Sequence, residues 1–150
     1  MGLDMYLSAK KSFYSADGNV FDYLLKATNL EKSDVCKGYV SSSVSFEIGY
    51  WRKANAIHAW LVEHVQCGKD DCREYYIRRE DLETLRALCQ KVLKDLTKAT
   101  DYLPPQQGFF FGSQAIDEGY KQDLEKTVEI IDRCSSDKFK GWDFYYQASW

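Results

Sequence analysis

The sequence predicts an α+β fold: a small, largely antiparallel sheet covered on one face by about three helices. Three observations carry that reading. Leu3 to Leu7 and Val44 to Tyr50 alternate apolar with polar residues, the period of half-buried strands in a sheet with one wet face. Three longer segments repeat apolar residues every third or fourth position, the period of a helix packed on one side. Strands at both ends with helices between them do not build regular βαβ units. With 150 residues, 9 Gly, 2 Pro and no repeat or linker-like tract, the chain is expected to form one domain with a sizeable core.

The elements follow in chain order. Leu3, Met5 and Leu7 share one strand face, with Asp4 and Tyr6 on the other. Asp17-Gly18-Asn19 is a turn with an N-cap candidate, and Val20 to Lys26 a short helix. Asn29 to Ser43 shows no clear period. In the second strand Val44, Phe46, Ile48 and Tyr50 are expected inward, and Ser45, Glu47 and Gly49 outward. A helix from about Arg52 to Val65 carries the stripe Ala54, Ile57, His58, Leu61 and Val65. Tyr75, Tyr76 and Ile77 form a short strand candidate. Glu80 to Leu96 aligns Leu82, Leu85, Cys89, Val92, Leu93 and Leu96, with Glu80 and Asp81 in the first turn, where the helix dipole favours anions.

Pro104-Pro105 closes that unit, because proline cannot continue a helix. Ser113 is the N-cap candidate of a third helix to about Cys134, striped by Ile116, Tyr120, Leu124, Ile131 and Cys134. Asp117 and Lys121 are spaced as an i,i+4 ion pair on it. Gly141 to Ser149 reads as a strand with Trp142, Phe144, Tyr146 and Ala148 on one side.

Composition excludes several function classes. Twenty Lys+Arg against 23 Asp+Glu give a net charge of −3, which argues against a general nucleic-acid binder. No apolar run approaches the roughly 18 residues of a membrane span, and the start lacks a basic-then-apolar leader. A cytoplasmic protein with no membrane partner is therefore expected. Five cysteines, an odd number without an export signal, read as reduced thiols, with Cys89 and Cys134 as small hydrophobes on helix stripes. Cys67, Cys72 and His64 are an incomplete zinc set, lacking a second C-x-x-C or His pair, so neither a metal nor another cofactor is expected.

Tyr50-Trp51-Arg52-Lys53-Ala54-Asn55-Ala56-Ile57-His58 is the most informative segment, joining the cleanest strand to the first strong helix. Arg52 and Lys53 fall where the first turn of that helix is expected, and cations are disfavoured beside its exposed N–H groups. Such a helix start is a good anion site, with phosphate its usual occupant. Trp51 could stack beside the anion; alternatively, Arg52 and Lys53 pair with acids such as Glu47 or Asp70-Asp71. His58 shares the apolar stripe and reads as a hydrogen-bonded core histidine. Gly108-Phe109-Phe110-Phe111-Gly112-Ser113 places aromatic rings on both sides of an extended segment, which either fills the core or forms a ligand surface beside the third helix. The candidate ligand-binding set is Trp51, Arg52, Lys53, Asn55, Phe110 and Ser113, with no catalytic residue assigned.

Met1-Gly2-Leu3-Asp4-Met5-Tyr6-Leu7, the block from Tyr50 to His58, Asp70-Asp71-Cys72 and the block from Gly108 to Ser113 together resemble a family of small, uncharacterised proteins of tailed phages and prophages. The resemblance implies a phage accessory protein acting in a bacterial cytoplasm, a class that often binds host components, including defence proteins and nucleotide immune signals.

Three functions compete. The first is a non-enzymatic binder of a small phosphate-bearing nucleotide, with counter-defence by sequestering that signal. The second is a protein-binding inhibitor of a host factor using aromatics of the Trp142 to Trp150 segment, where an edge strand could also pair a second copy into a homo-oligomer. The third is a phosphoesterase or nuclease with Asp4, His58 and Arg52 converging. The third is the least supported, because nothing fixes a nucleophile, base or metal, and of the two binders the first is favoured.

Overall fold

The computed structural model describes residues 2–38, 40–108 and 111–150, and it has the α+β fold expected. A four-stranded antiparallel sheet is ordered β2 (Ser41–Arg52), β1 (Asp4–Tyr14), β4 (Asp143–Ser149), β3 (Tyr75–Ile77). The helices are α1 (Asn19–Ala27), α2 (Asn55–His64), α3 (Arg79–Lys94), α4 (Ala99–Tyr102) and α5 (Glu118–Cys134). The chain clusters as two compact units, Met1–Ala9 with Glu47–Trp150, and Lys10–Phe46.

In the first unit the core is one cluster. Leu3, Met5 and Leu7 of β1 join Ile57 and Leu61 of α2, Leu85 and Cys89 of α3, Leu124 and Ile131 of α5, and Phe144 and Tyr146 of β4. Most of the period-2 and period-3.6 stripes read from the sequence are buried residues of these elements; Val65, Leu93 and Trp142 are only partly buried, and Leu96, after α3, and Ile116, before α5, are exposed. Short β3 pairs with β4 in the register Tyr75↔Tyr146, Tyr76↔Tyr145, Ile77↔Phe144. Because β3 covers one side of β4 and β1 the other, β4 is not the edge strand expected of the C-terminal segment.

Several boundaries and faces differ from expectation. The inward phase of β2 is reversed near its end: Gly49 and Trp51 are buried, whereas Tyr50 is exposed. Phe46, also expected inward, is exposed as well. The reversal has a packing cause, since α5 brings Ile130 against Gly49, and Trp51 donates its indole N–H to Thr127 Oγ1 at 2.9 Å. The first of the three expected helices starts at Asn55, not Arg52, because Lys53 takes a left-handed φ of 60° that ends β2. The helix expected from Ser113 starts at Glu118, capped by Asp117, whose carboxylate accepts from Tyr120 N–H at 3.1 Å. Ser113 Oγ instead accepts from Ala115 N–H at 3.0 Å, a local turn. Lys121 approaches Glu118 and Glu125, both at 3.8 Å, so its ion pair is not with Asp117.

The second unit holds residues 10–14 of β1, α1 and residues 41–46 of β2. Phe21 and Leu25 are its buried helical residues, four apart on one face of α1. Val20 and Tyr23 of the same helix are exposed. Ser15 N–H donates to the Val40 carbonyl at 2.8 Å.

Candidate functional site

A cleft of about 280 Å³ opens in the first unit where β2 hands over to α2. One wall is Arg52, Lys53, Asn55 and the first turn of α2; Ser113, Asp117 and Asp123 also line it. Four of the six sequence-designated residues, Arg52, Lys53, Asn55 and Ser113, are therefore brought together. Trp51 is corrected to a core residue: it is 2% exposed and bonded to Thr127, because strand alternation turns it opposite to Arg52. Phe110 lies outside the described residues.

The cationic side is built by the backbone. Lys53 N–H donates to the Leu3 carbonyl at 2.7 Å, and the Lys53 carbonyl accepts from Asn55 N–H at 2.8 Å, holding the left-handed turn from both sides. The Lys53 side chain runs close to Gly112, where an added Cβ would lie 3.1 Å from Lys53 Cβ and where φ is 86°. Both facts require glycine there. Ala54 offers no capping side chain, and the Ala56 and Ile57 N–H groups at the cleft meet no acceptor among the described residues. Neither Arg52 nor Lys53 makes an ion pair among the described residues, so the alternative of pairing with Glu47 or Asp70-Asp71 does not hold. Asp70 accepts from His58 and Trp150, and Asp71 from Tyr75 and Arg73. Free N–H groups beside two cations make a site of positive potential.

Asn55 is the hinge pin of this wall. It is 5% exposed; its amide N–H₂ donates to the Phe111 carbonyl at 3.1 Å and the Ser113 carbonyl at 2.8 Å. Its Oδ1 accepts from Gln106 N–H at 3.0 Å. One side chain thus ties Gln106, Phe111 and Ser113 to the start of α2, a positioning role. Sequence reasoning placed Asn55 in the site but could not see these partners, which are about fifty residues distant.

Two acids face the cleft, and neither was among the sequence-designated residues. Asp117 is occupied as the α5 cap. The Asp123 carboxylate accepts no hydrogen bond and makes no ion pair among the described residues. Burial first, and then the charge of Asp117, push its pKa up to about 6, with Lys126 opposing. Partial burial disfavours its ionised form. The only sequence signal was Asp123 one residue before the buried Leu124, a position too common to distinguish.

His58 is the core histidine expected. It is fully buried, with Nε2 at 3.0 Å from Asp70 Oδ2 and Nδ1 at 2.8 Å from the Tyr146 hydroxyl. Burial drives the Tyr146 pKa well above its ordinary value, so the hydroxyl keeps its proton. A donor Nε2 toward Asp70 and an acceptor Nδ1 toward the Tyr146 hydroxyl satisfy all three groups. Asp4 accepts from the Tyr50 hydroxyl and His58 is held by Asp70 and Tyr146, so the enzyme grouping of Asp4, His58 and Arg52 gains no support.

His64 accepts no convergent partner either: its ring stacks on Trp60 with centroids 4.4 Å apart, and Nδ1 sits 2.9 Å from the Trp60 carbonyl. Among the described residues no three His, Cys, Asp or Glu side chains gather as a metal site, and no helix is long and apolar enough to cross a membrane. No protein family, curated protein or solved structure matches this chain.

Proposed function

We propose that this chain is a non-enzymatic binder of a small phosphate-bearing nucleotide. The observation that carries it is the pair Arg52 and Lys53, cations without acidic partners among the described residues, lining a cleft with the uncapped start of α2. Phosphate oxygens accept from guanidinium, ammonium and backbone N–H groups, the donor types that Arg52, Lys53 and the start of α2 offer. The resemblance to small phage proteins supplies the setting: an accessory protein that sequesters a host nucleotide signal. Titration of wild type and Arg52→Ala with mono-, di- and cyclic nucleotides tests it. Micromolar binding that the variant weakens supports the proposal; no binding of any nucleotide by wild type overturns it.

A second reading, capture of a host protein, has its own observation. The sheet face turned from the core carries Tyr6 against Tyr50, centroids 5.4 Å apart, and Tyr76 against Tyr145, 5.7 Å apart. Tyr50 and Tyr76 are 40% and 54% exposed, and tyrosine is an interface-enriched residue. The C-terminal aromatics Phe144 and Tyr146 do not contribute, because both are core residues. Photo-crosslinking from position 76 in a bacterial lysate, compared with position 23 on α1, tests this face; equal labelling at both sites counts against it.

A further inference from the structure

The second unit buries little. It spans Lys10–Phe46, a quarter of the chain, yet it holds half of the exposed large apolar side chains among the described residues: Tyr14, Val20, Tyr23, Leu30 and Phe46. Its buried apolar side chains among the described residues are Phe21 and Leu25, both on α1. We propose that the outer face of α1 docks on α1 of a second copy of this chain, antiparallel about a two-fold axis.

α1 is apolar over more of its circumference than it buries. On a period of 3.6 residues Val20, Tyr23, Leu24 and Ala27 share one stripe, beside the buried Phe21 and Leu25. Val20, Tyr23 and Ala27 are exposed and Leu24 is half-buried, with Tyr23 the most open at 70%. A contiguous exposed apolar patch marks an interaction surface. Charge then selects the occupant and its direction. Asp22 and Lys26, four apart on one flank of the stripe, are both exposed. Antiparallel copies set Asp22 of each beside Lys26 of the other, two opposite-charge pairs from a single surface. Parallel copies would set like charges side by side. The antiparallel arrangement also lays Val20 of each copy on Ala27 of the other, a large residue on a small one. Lys32 Nζ lies 2.8 Å from Asp22, an exposed pair that Lys26 of the second copy can join or replace. An open basin of about 600 Å³ borders this flank and leaves room for the approach. A two-fold contact uses the same patch on both copies and closes on itself, so the product is a dimer and not a filament.

A nine-residue helix offers a small patch against a standard interface, so a dissociation constant of about 10–500 µM is expected. Such a dimer is dissociated in dilute lysate, where position 23 still serves as the reference site for crosslinking. Sedimentation equilibrium of the full chain from about 5 to 1,000 µM tests the inference. Wild type should pass from monomer to dimer within that range. Asp22→Lys makes the flank wholly basic and Lys26→Asp makes it wholly acidic. Each alone should remain monomeric, and their equimolar mixture should dimerise at least about tenfold more tightly than either. Thermal melting shows that each variant folds, and Tyr23→Ser, which changes no charge, should weaken the wild-type dimer by about tenfold or more. Wild type that stays monomeric throughout overturns the proposal. A wild-type dimer that none of the three substitutions weakens lies elsewhere on the chain and overturns it too. Charge variants that are monomeric both alone and mixed overturn the antiparallel pairing, and association that continues beyond a dimer overturns the two-fold closure.

Discussion

Gly49 of β2 lies against Ile130 of α5 so closely that a Cβ on Gly49 would sit 2.7 Å from Ile130 Cγ2 and 3.3 Å from Leu7 Cβ. This contact sets which side of β2 faces the helix, and with it the direction of Arg52 toward solvent and Trp51 toward the core. Gly49→Ala should therefore destabilise by about 1–3 kcal/mol, the range for overpacking a filled core. Urea denaturation measures it; a variant as stable as wild type would show that α5 can move aside.

Arg52→Ala should cost a phosphate ligand about 1.5–3 kcal/mol, the contribution of a hydrogen bond to a charged group. That corresponds to roughly 10- to 150-fold in affinity. Stability should change by no more than about 0.5 kcal/mol, because Arg52 is exposed and makes no ion pair among the described residues. Unaltered affinity would remove Arg52 from the site.

Asn55→Ala strips three hydrogen bonds at once and leaves Gln106 N–H and two carbonyls without their partner. A loss of about 1–3 kcal/mol is expected, with ligand affinity falling as the loop loosens. Faster hydrogen exchange at Gln106, with exchange in α3 unchanged, would locate the effect in the loop. Uniformly faster exchange would instead mean general destabilisation.

Asp123 makes stability depend on pH in a definite direction. Its pKa is raised in the folded chain, from the ordinary 3.8 to about 6, so the folded state binds more protons between those values. Stability is then greater below about pH 4 than above pH 6 as far as this group alone is concerned, and it is lost as pH rises through about 6. Discounted for partial solvent screening, Asp123→Asn should stabilise by about 1–2 kcal/mol near neutrality. The gain should vanish near pH 4, as melting curves of both proteins across that range will show. A gain independent of pH would point to a steric cause.

The five thiols should divide by burial. Burial pushes the Cys89 pKa up to about 12 and that of Cys134 to about 11, so both are inert as well as inaccessible. Cys36 and Cys67 are exposed. Alkylation of native protein followed by mass spectrometry should modify these two and spare Cys89 and Cys134; modification of Cys89 before Cys36 would contradict the packing of α3.

The sequence by itself determined the elements whose period is long enough to read. The stripes of α3 and α5 and the alternation of β1 and β4 survive because each repeats its signal over several turns or pleats. It also determined that Arg52, Lys53 and Asn55 belong together, since they are near neighbours in the chain. The phase of β2 was beyond it: Val44, Phe46, Ile48 and Tyr50 carry the alternating apolar pattern, yet Gly49 and Trp51 are buried because a helix eighty residues later needs the space of a missing Cβ. The acidic wall was beyond it for the same reason. Asp123 is one of 23 acids in sequence, and only packing α5 beside the start of α2 gives its carboxylate a cleft and partial burial. Local periodicity is a property of neighbours in the chain, whereas a side chain's solvent, charge and partners are set by residues that only folding brings near.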